Sequence, residues 1–278
     1  MLGVARRLLA LAALIAAFAI VAVAPAGAAT TGQPVRATLH LSSPDAFAVG
    51  GHLVTVPRRT IHIVGVVRPY VPDQTVLVKV LLGHRQIKTD VVRINSEHGG
   101  AYGQFTEPLS SPRAGQLTVQ VGHTRNTAMG ALLARRHIAA LAEQAGFGSR
   151  GLFVELIQQR LAALHFYIPQ TGVYDSGTGW AIDAYHRLLH RGTSQTLDGR
   201  TISYLLDGFG SFKVRFPSHG NHAEGNLSLQ LLALASGSHV YRIYPISSGK
   251  PSTPTILGDF RVYSKVPGFL PDGMYYSN

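Results

Sequence analysis

The 278-residue chain contains no cysteine. That excludes disulfide staples, a thiol nucleophile and any thiolate metal site within these residues, so each domain must hold through its core. Charge is also scarce. Only 14 % of residues are charged, against ~25 % in an average domain. Acidic residues number 14 against 25 basic, a formal net charge of +11. The basic residues are scattered through strand-like segments and form no single tract, which argues against nucleic acid as a partner. The 13 histidines include no H-E-x-x-H or comparable cluster, so no metal site is expected. A G-x-S-x-G elbow is missing as well, and Ser247, Ser248 and Asp259 form no recognisable catalytic set with His219, His222 or His239. His219 and His222, flanking Gly220, read as loop residues. The expectation is no catalytic residue, no metal and no cofactor in these 278 positions.

Long apolar runs are confined to the N-terminus. Arg6 and Arg7 precede an uninterrupted apolar stretch from Leu8 to Ala24, Pro25 breaks it, and Ala26-Gly27-Ala28 offers a small-residue cleavage site. Residues 1–28 read as a signal peptide, the alternative being an uncleaved membrane anchor. Either places the remainder outside the cytoplasmic membrane, with membrane contact only through this segment. Without residues 1–28, 23 basic and 14 acidic residues remain, a net charge of +9. An exported basic protein meets anionic envelope polymers first.

The length suggests about two domains, or more if they are small. Residues 35–125 alternate β-branched or large apolar residues with polar ones, as in "RTIHIVGVVRPY" and "GQLTVQVGH", and Gly-His at 83–84 and Gly-Gly at 99–100 mark turns. Several short strands at this spacing favour a β-sandwich. The pattern resembles the immunoglobulin-like spacer domains of exported bacterial proteins. Residues 126–150 are ambiguous: their Ala and Leu content suits a helix, yet they equally suit a last strand followed by a Gly-rich linker.

From 151 to 208 the period changes to 3.6. Phe153, Leu156, Ile157, Leu161 and Leu164 share one helical face. Ala181, Tyr185, Leu188 and Leu189 share a second, and Ile202, Leu205 and Leu206 a third that ends at Gly208. Asp175 and Ser176 are natural caps for the second helix. The region therefore reads as a three-helix bundle. Its ordered residues are Leu156, Gln158-Gln159-Arg160-Leu161, Phe166-Tyr167, Thr171-Gly172-Val173-Tyr174-Asp175, Thr178 and Tyr185. On these it resembles the peptidoglycan-binding type 1 module. The resemblance implies a face around Tyr167, Tyr174 and Thr178 that touches glycan or stem peptide, with peptidoglycan as partner.

Residues 212–278 return to period two, with a hairpin signal at Ser236-Gly237-Ser238. Pro245, Ser247, Ser248 and Gly249 precede Thr253-Pro254-Thr255, Gly258 and Phe260. This order resembles the N-terminal part of the L,D-transpeptidase catalytic domain, which implies cysteine acyl transfer assisted by a histidine base. The family's Ser-x-Gly-Cys-x-Arg motif does not occur in the chain. The resemblance thus implies a chain that stops before its nucleophile, binds the wall and is inert as a cross-linking enzyme. The alternative is a complete, non-catalytic wall-binding scaffold. Tyr275 and Tyr276 are the candidates for a substrate groove. Ending at Asn278 is expected to leave strand edges unpaired and Leu229, Leu231 and Leu232 partly uncovered, so that 212–278 alone would be marginally stable. The overall expectation is a multidomain, mainly β protein with an α module: an immunoglobulin-like β-sandwich, a three-helix peptidoglycan-binding bundle and a partial β-rich L,D-transpeptidase domain.

Overall fold

A computed structural model describes residues 33–262 and two short strands, Gly268–Phe269 and Tyr275–Tyr276. The signal segment lies outside the described residues. Among the described residues no helix is long and apolar enough to cross a membrane.

The first region is a two-sheet sandwich of ten strands. In chain order they are β1 (Thr38–Ser42), β2 (Phe47–Val49), β3 (His52–Thr55), β4 (Ile61–Arg68), β5 (Thr75–Leu82), β6 (Arg85–Arg93), β7 (Asn95–Glu97), β8 (Tyr102–Leu109), β9 (Gly115–His123) and β10 (Leu132–Ala140). One sheet runs β1-β4-β8-β7 and the other β2-β3-β10-β9-β5-β6. The sequence alternation becomes an alternation of faces. Ile61, Ile63 and Val67 of β4 and Val76, Val78 and Val80 of β5 are fully buried between the sheets, where they meet Phe105, Leu117, Val119 and Val121. Gly65 on β4 is required by packing, because a Cβ there would overlap the Phe105 ring.

The ambiguous 126–150 stretch resolves as a strand. β10 pairs antiparallel with β9 over nine residues and parallel with β3 at Ala139 and Ala140. Ladder bonds and the burial of Leu132, Ile138 and Ala140 outweigh the modest helix preference of Ala and Leu. The sandwich therefore runs to residue 140.

Three helices follow: α1 (Leu152–Ala163), α2 (Ser176–Leu188) and α3 (Gly199–Leu206). The α2 N-cap is Asp175, whose carboxylate accepts the Thr178 N–H at 2.9 Å. Asp198 caps α3 in the same way, accepting the Thr201 N–H at 2.7 Å. Past α3 the chain turns at Gly208, in the left-handed region with φ +67°.

A three-stranded antiparallel sheet comes next, β11 (Asn221–Asn226), β12 (Leu231–Ser236) and β13 (His239–Pro245). It is not left open. Leu231, Ala233, Ala235, Val240 and Ile243 are buried in the same core as Leu156, Ile182 and Tyr185 of the helices. The outer edge of β13 is also occupied: the Ile243 N–H donates to His165 O at 2.7 Å, and the Tyr167 N–H to Ile243 O at 2.9 Å. The expected exposure of Leu231 and of this edge is thus corrected. The bundle supplies the cover that was sought downstream. Leu229 and Leu232 remain half-buried.

The sandwich and the bundle meet at Phe47. The guanidinium groups of Arg59 and Arg160 lie 5.2 and 5.3 Å from its ring centre, and Arg59 pairs with Asp207 at 2.6 Å. Val49, Val54 and Val56 add apolar contact with the helical core. The strands Gly268–Phe269 (β14) and Tyr275–Tyr276 (β15) pair antiparallel with each other.

Candidate functional site

The polar residues of the bundle motif converge on one buried network. Gln158 on α1 is fully buried, and its amide donates to Thr178 Oγ1 at 2.9 Å and to Val173 O at 2.9 Å. Its carbonyl oxygen accepts the Gly172 N–H at 2.8 Å. Gly172 has φ +67°, a conformation that favours glycine. The Asp175 carboxyl is held below the usual carboxylate range, chiefly by the Thr178 N–H and further by the Thr178 hydroxyl, against an opposing effect of burial. In this way α1 clamps the turn that leads into α2.

This network corrects part of the expected binding face. Thr178 is fully buried and Tyr174 is 1 % exposed. The Tyr174 hydroxyl donates to Gln195 O, its ring packs on Phe147 with centres 5.4 Å apart, and burial pushes its pKa up to about 12. Both side chains act inside the fold because the turn that carries them folds back onto α1. Tyr167 is different. It is 53 % exposed, and its ring lies 5.2 Å from that of Tyr244 on β13, with the Arg242 guanidinium 5.5 Å from its centre. The backbone pairing of Tyr167 with Ile243 brings this cluster together. An exposed tyrosine against a half-buried one, with a cation beside them, is a platform for flat, partly apolar ligands.

A second feature lies between α2 and the sheet. An open groove of about 790 Å³ is lined by Trp180, Arg187 and His190 on one side and by Ser228, Ile246 and Ser247 on the other. Arg187 pairs with Asp183 at 2.5 Å and reaches the carbonyl oxygens of Gln230 and Ile246 at 3.5 and 3.4 Å. Gln230 in turn accepts the Ser248 N–H at 2.7 Å and donates to the Ser248 hydroxyl at 2.8 Å. The Pro-Ile-Ser-Ser-Gly segment is thereby fixed to the helical bundle. Sequence reasoning missed this groove. Its signal was the opposite-charge pair Asp183 and Arg187, one helical turn apart on α2.

The histidines and serines do not combine. His222 Nδ1 donates to Gly220 O at 2.9 Å, and its other ring nitrogen faces Glu224 at 3.6 Å. His219 stacks on Phe216 and stands 3.8 Å from Asp259. Among the described residues, neither Ser247 nor Ser248 has a histidine as hydrogen-bond partner, and no group of three or more His, Asp or Glu is arranged to hold a metal. Tyr275 and Tyr276 lie in β15; their side chains lie outside the described residues.

No protein-family model matches the chain, and no curated protein matches it. Among solved structures, the L,D-transpeptidase of Xylanimonas cellulosilytica DSM 15894 (residues 123–326) aligns at 26 % identity with a TM-score of 0.38. The alignment covers 46 % of this chain and 62 % of that one, so the chain spans less than two thirds of it. The CARDB domain of the PF1109 protein from Pyrococcus furiosus, in complex with di-metal ions, aligns at 12 % identity with a TM-score of 0.23, covering 38 % of this chain and 94 % of that one. The M1 domain from titin aligns at 17 % identity with a TM-score of 0.20, covering 34 % and 91 %. Superpositions this loose do not define a shared fold. What stands is a mainly β chain with three helices and several sheets, similar over part of its length to an L,D-transpeptidase structure.

Proposed function

We propose that this is an exported, peptidoglycan-binding protein of the L,D-transpeptidase family, and that these 278 residues bind the wall without catalysing its cross-linking. The observation that carries the reading is the Gln158–Thr178–Asp175 network. It gives a physical task to the polar residues of the ordered bundle motif, a coincidence not expected of an accidental match. Tyr167, with Tyr244 and Arg242, is the binding platform. Tyr275 and Tyr276 keep their proposed place near a substrate groove. The transfer chemistry of the family needs a thiolate, and none is available here. The membrane enters only through residues 1–28, and nucleic acid is not a partner.

A second reading, a non-catalytic wall scaffold, is supported by the way β12 and β13 share the helical core, which gives them a structural role of their own. The two readings differ on the coding DNA beyond residue 278: a His and a Ser-x-Gly-Cys-x-Arg motif in frame supports the first, and their absence the second. Both require co-sedimentation of the full chain with purified peptidoglycan sacculi at physiological salt. Tyr167→Ala is expected to lower the bound fraction severalfold while shifting stability by no more than about 0.5 kcal/mol, as befits an exposed side chain. A chain that stays wholly in the supernatant would falsify both readings.

A further inference from the structure

We infer that the groove between α2 and the sheet is a second, separate subsite that takes a neutral N-acetylated glycan strand, with Trp180 as its stacking platform. The inference rests on the wall-binding reading and assigns the glycan to a place. Trp180 is the one tryptophan of the chain and is 51 % exposed on the wall of the groove. A pyranose ring offers a face of C–H groups with partial positive charge, and an indole face is electron-rich and apolar, so the two stack. The volume of about 790 Å³ falls within the ~300–1,000 Å³ of small-ligand sites. Leu229, Pro245 and Ile246 supply apolar lining, while Thr193, Ser228 and Ser247 supply hydroxyls suited to sugar hydroxyl and acetamido groups.

Charge selects the occupant. The arginine of the groove is already paired: Asp183 neutralises it, and one terminal nitrogen reaches two backbone carbonyls. Apart from the exposed His190, an anionic polymer or a stem-peptide carboxylate would find no unpaired basic side chain in the groove, and its desolvation would be poorly compensated. A neutral polyhydroxylated chain meets no such penalty. The groove is also built to persist, because Arg187 ties its two walls together and Gln230 braces the sheet-side wall through Ser248.

A single tryptophan makes the test direct. The full chain is titrated with the β-1,4-linked tetramer of N-acetylglucosamine while Trp emission is followed. A saturable blue shift is expected, with none from free stem tripeptide or from a poly(glycerol phosphate). Trp180→Ala is expected to weaken tetramer binding by at least about tenfold by calorimetry, as for a central aromatic anchor, with an unchanged thermal midpoint. Trp180→Phe should recover part of it. Tyr167→Ala should leave the emission titration unchanged. If emission ignores the tetramer, or answers the tripeptide instead, the inference is overturned. Sacculus co-sedimentation retained in that case leaves the wall-binding reading standing, and its loss removes both.

Discussion

The sandwich and the helical bundle bury equal numbers of polar residues but connect them differently. The sandwich surrounds Phe105 with Val, Ile and Leu and buries Ser43, Thr55, Gln74, Glu107 and Ser111 as separate polar residues, no two of them hydrogen-bonded to each other. The bundle buries Gln158, Thr178, Asp183, His186 and Thr201 among its apolar residues. An aliphatic core tolerates repacking as long as volume and pattern hold. A buried polar network does not, since every donor left unpaired bears a desolvation penalty. The first sets a shape through volume and pattern; the second fixes the conformation of one turn and the face beside it.

The contrast can be broken most severely at the two centres. Phe105→Ala removes the ring that fills the space over Gly65, and it is expected to cost about 3–5 kcal/mol in sandwich stability, read by chemical denaturation. Gln158→Leu is close in volume but removes a bond from Thr178 and from Val173 O and leaves the Gly172 N–H without its partner. It should cost about 2–4 kcal/mol, and hydrogen exchange should show the loss concentrated at residues 171–178, with sacculus binding lowered. Equal, diffuse loss across both regions would contradict the distinction.

A milder cut tests whether the regions unfold together. Arg59→Ala removes the pair with Asp207 and one of the two cations on Phe47. The pair is partly exposed and screened, so about 0.5–1 kcal/mol is expected, chiefly as broadening or splitting of a single calorimetric transition. A transition of undiminished sharpness would show that Val49, Val54 and Val56 alone couple the regions.

The smallest effects are pH-dependent, and most of the shifted groups lie in the bundle. Asp175 and Asp198 have depressed pKa values, Asp175 chiefly through the Thr178 N–H and Asp198 chiefly through the Arg191 guanidinium. Their stabilising contribution is therefore present above the ordinary carboxylate pKa of ~3.9 and fades as pH falls through the lower folded values. Tyr174 is raised, to about 12, by burial. Its contribution is intact below the ordinary tyrosine value of ~10 and is lost as pH climbs from there toward 12. Thermal midpoints followed by helical circular dichroism should decline at both extremes, while the sheet signal of the sandwich changes less.

Much of this architecture was legible. Strand alternation in 61–82 and helical faces at Phe153, Leu156, Ile157 and Leu161 follow from apolar spacing, and the Asp175 cap from its place before a helix. The candidate site was less so. Tyr174 and Thr178 look as surface-like in sequence as Tyr167, because an amphipathic tyrosine or a threonine suits either side of a helix-entry turn. Only the fold of that turn onto Gln158 separates them. β10 was ambiguous because Ala and Leu serve both structures, and its partners lie far away at 115–123 and at 54–55.

The sequence by itself determined the chemistry that is excluded, since a chain without cysteine has no thiolate in any fold, and it determined which faces are apolar. Tertiary structure decided what covers those faces. It set β12 and β13 against the bundle, closed the edge of β13 with residues 165–167, and brought Trp180 and Arg187 opposite Ser228 and Ser247. Periodicity reports a residue's side of its own helix or strand; the partner of that side is fixed by contacts across tens of residues, which no local pattern encodes.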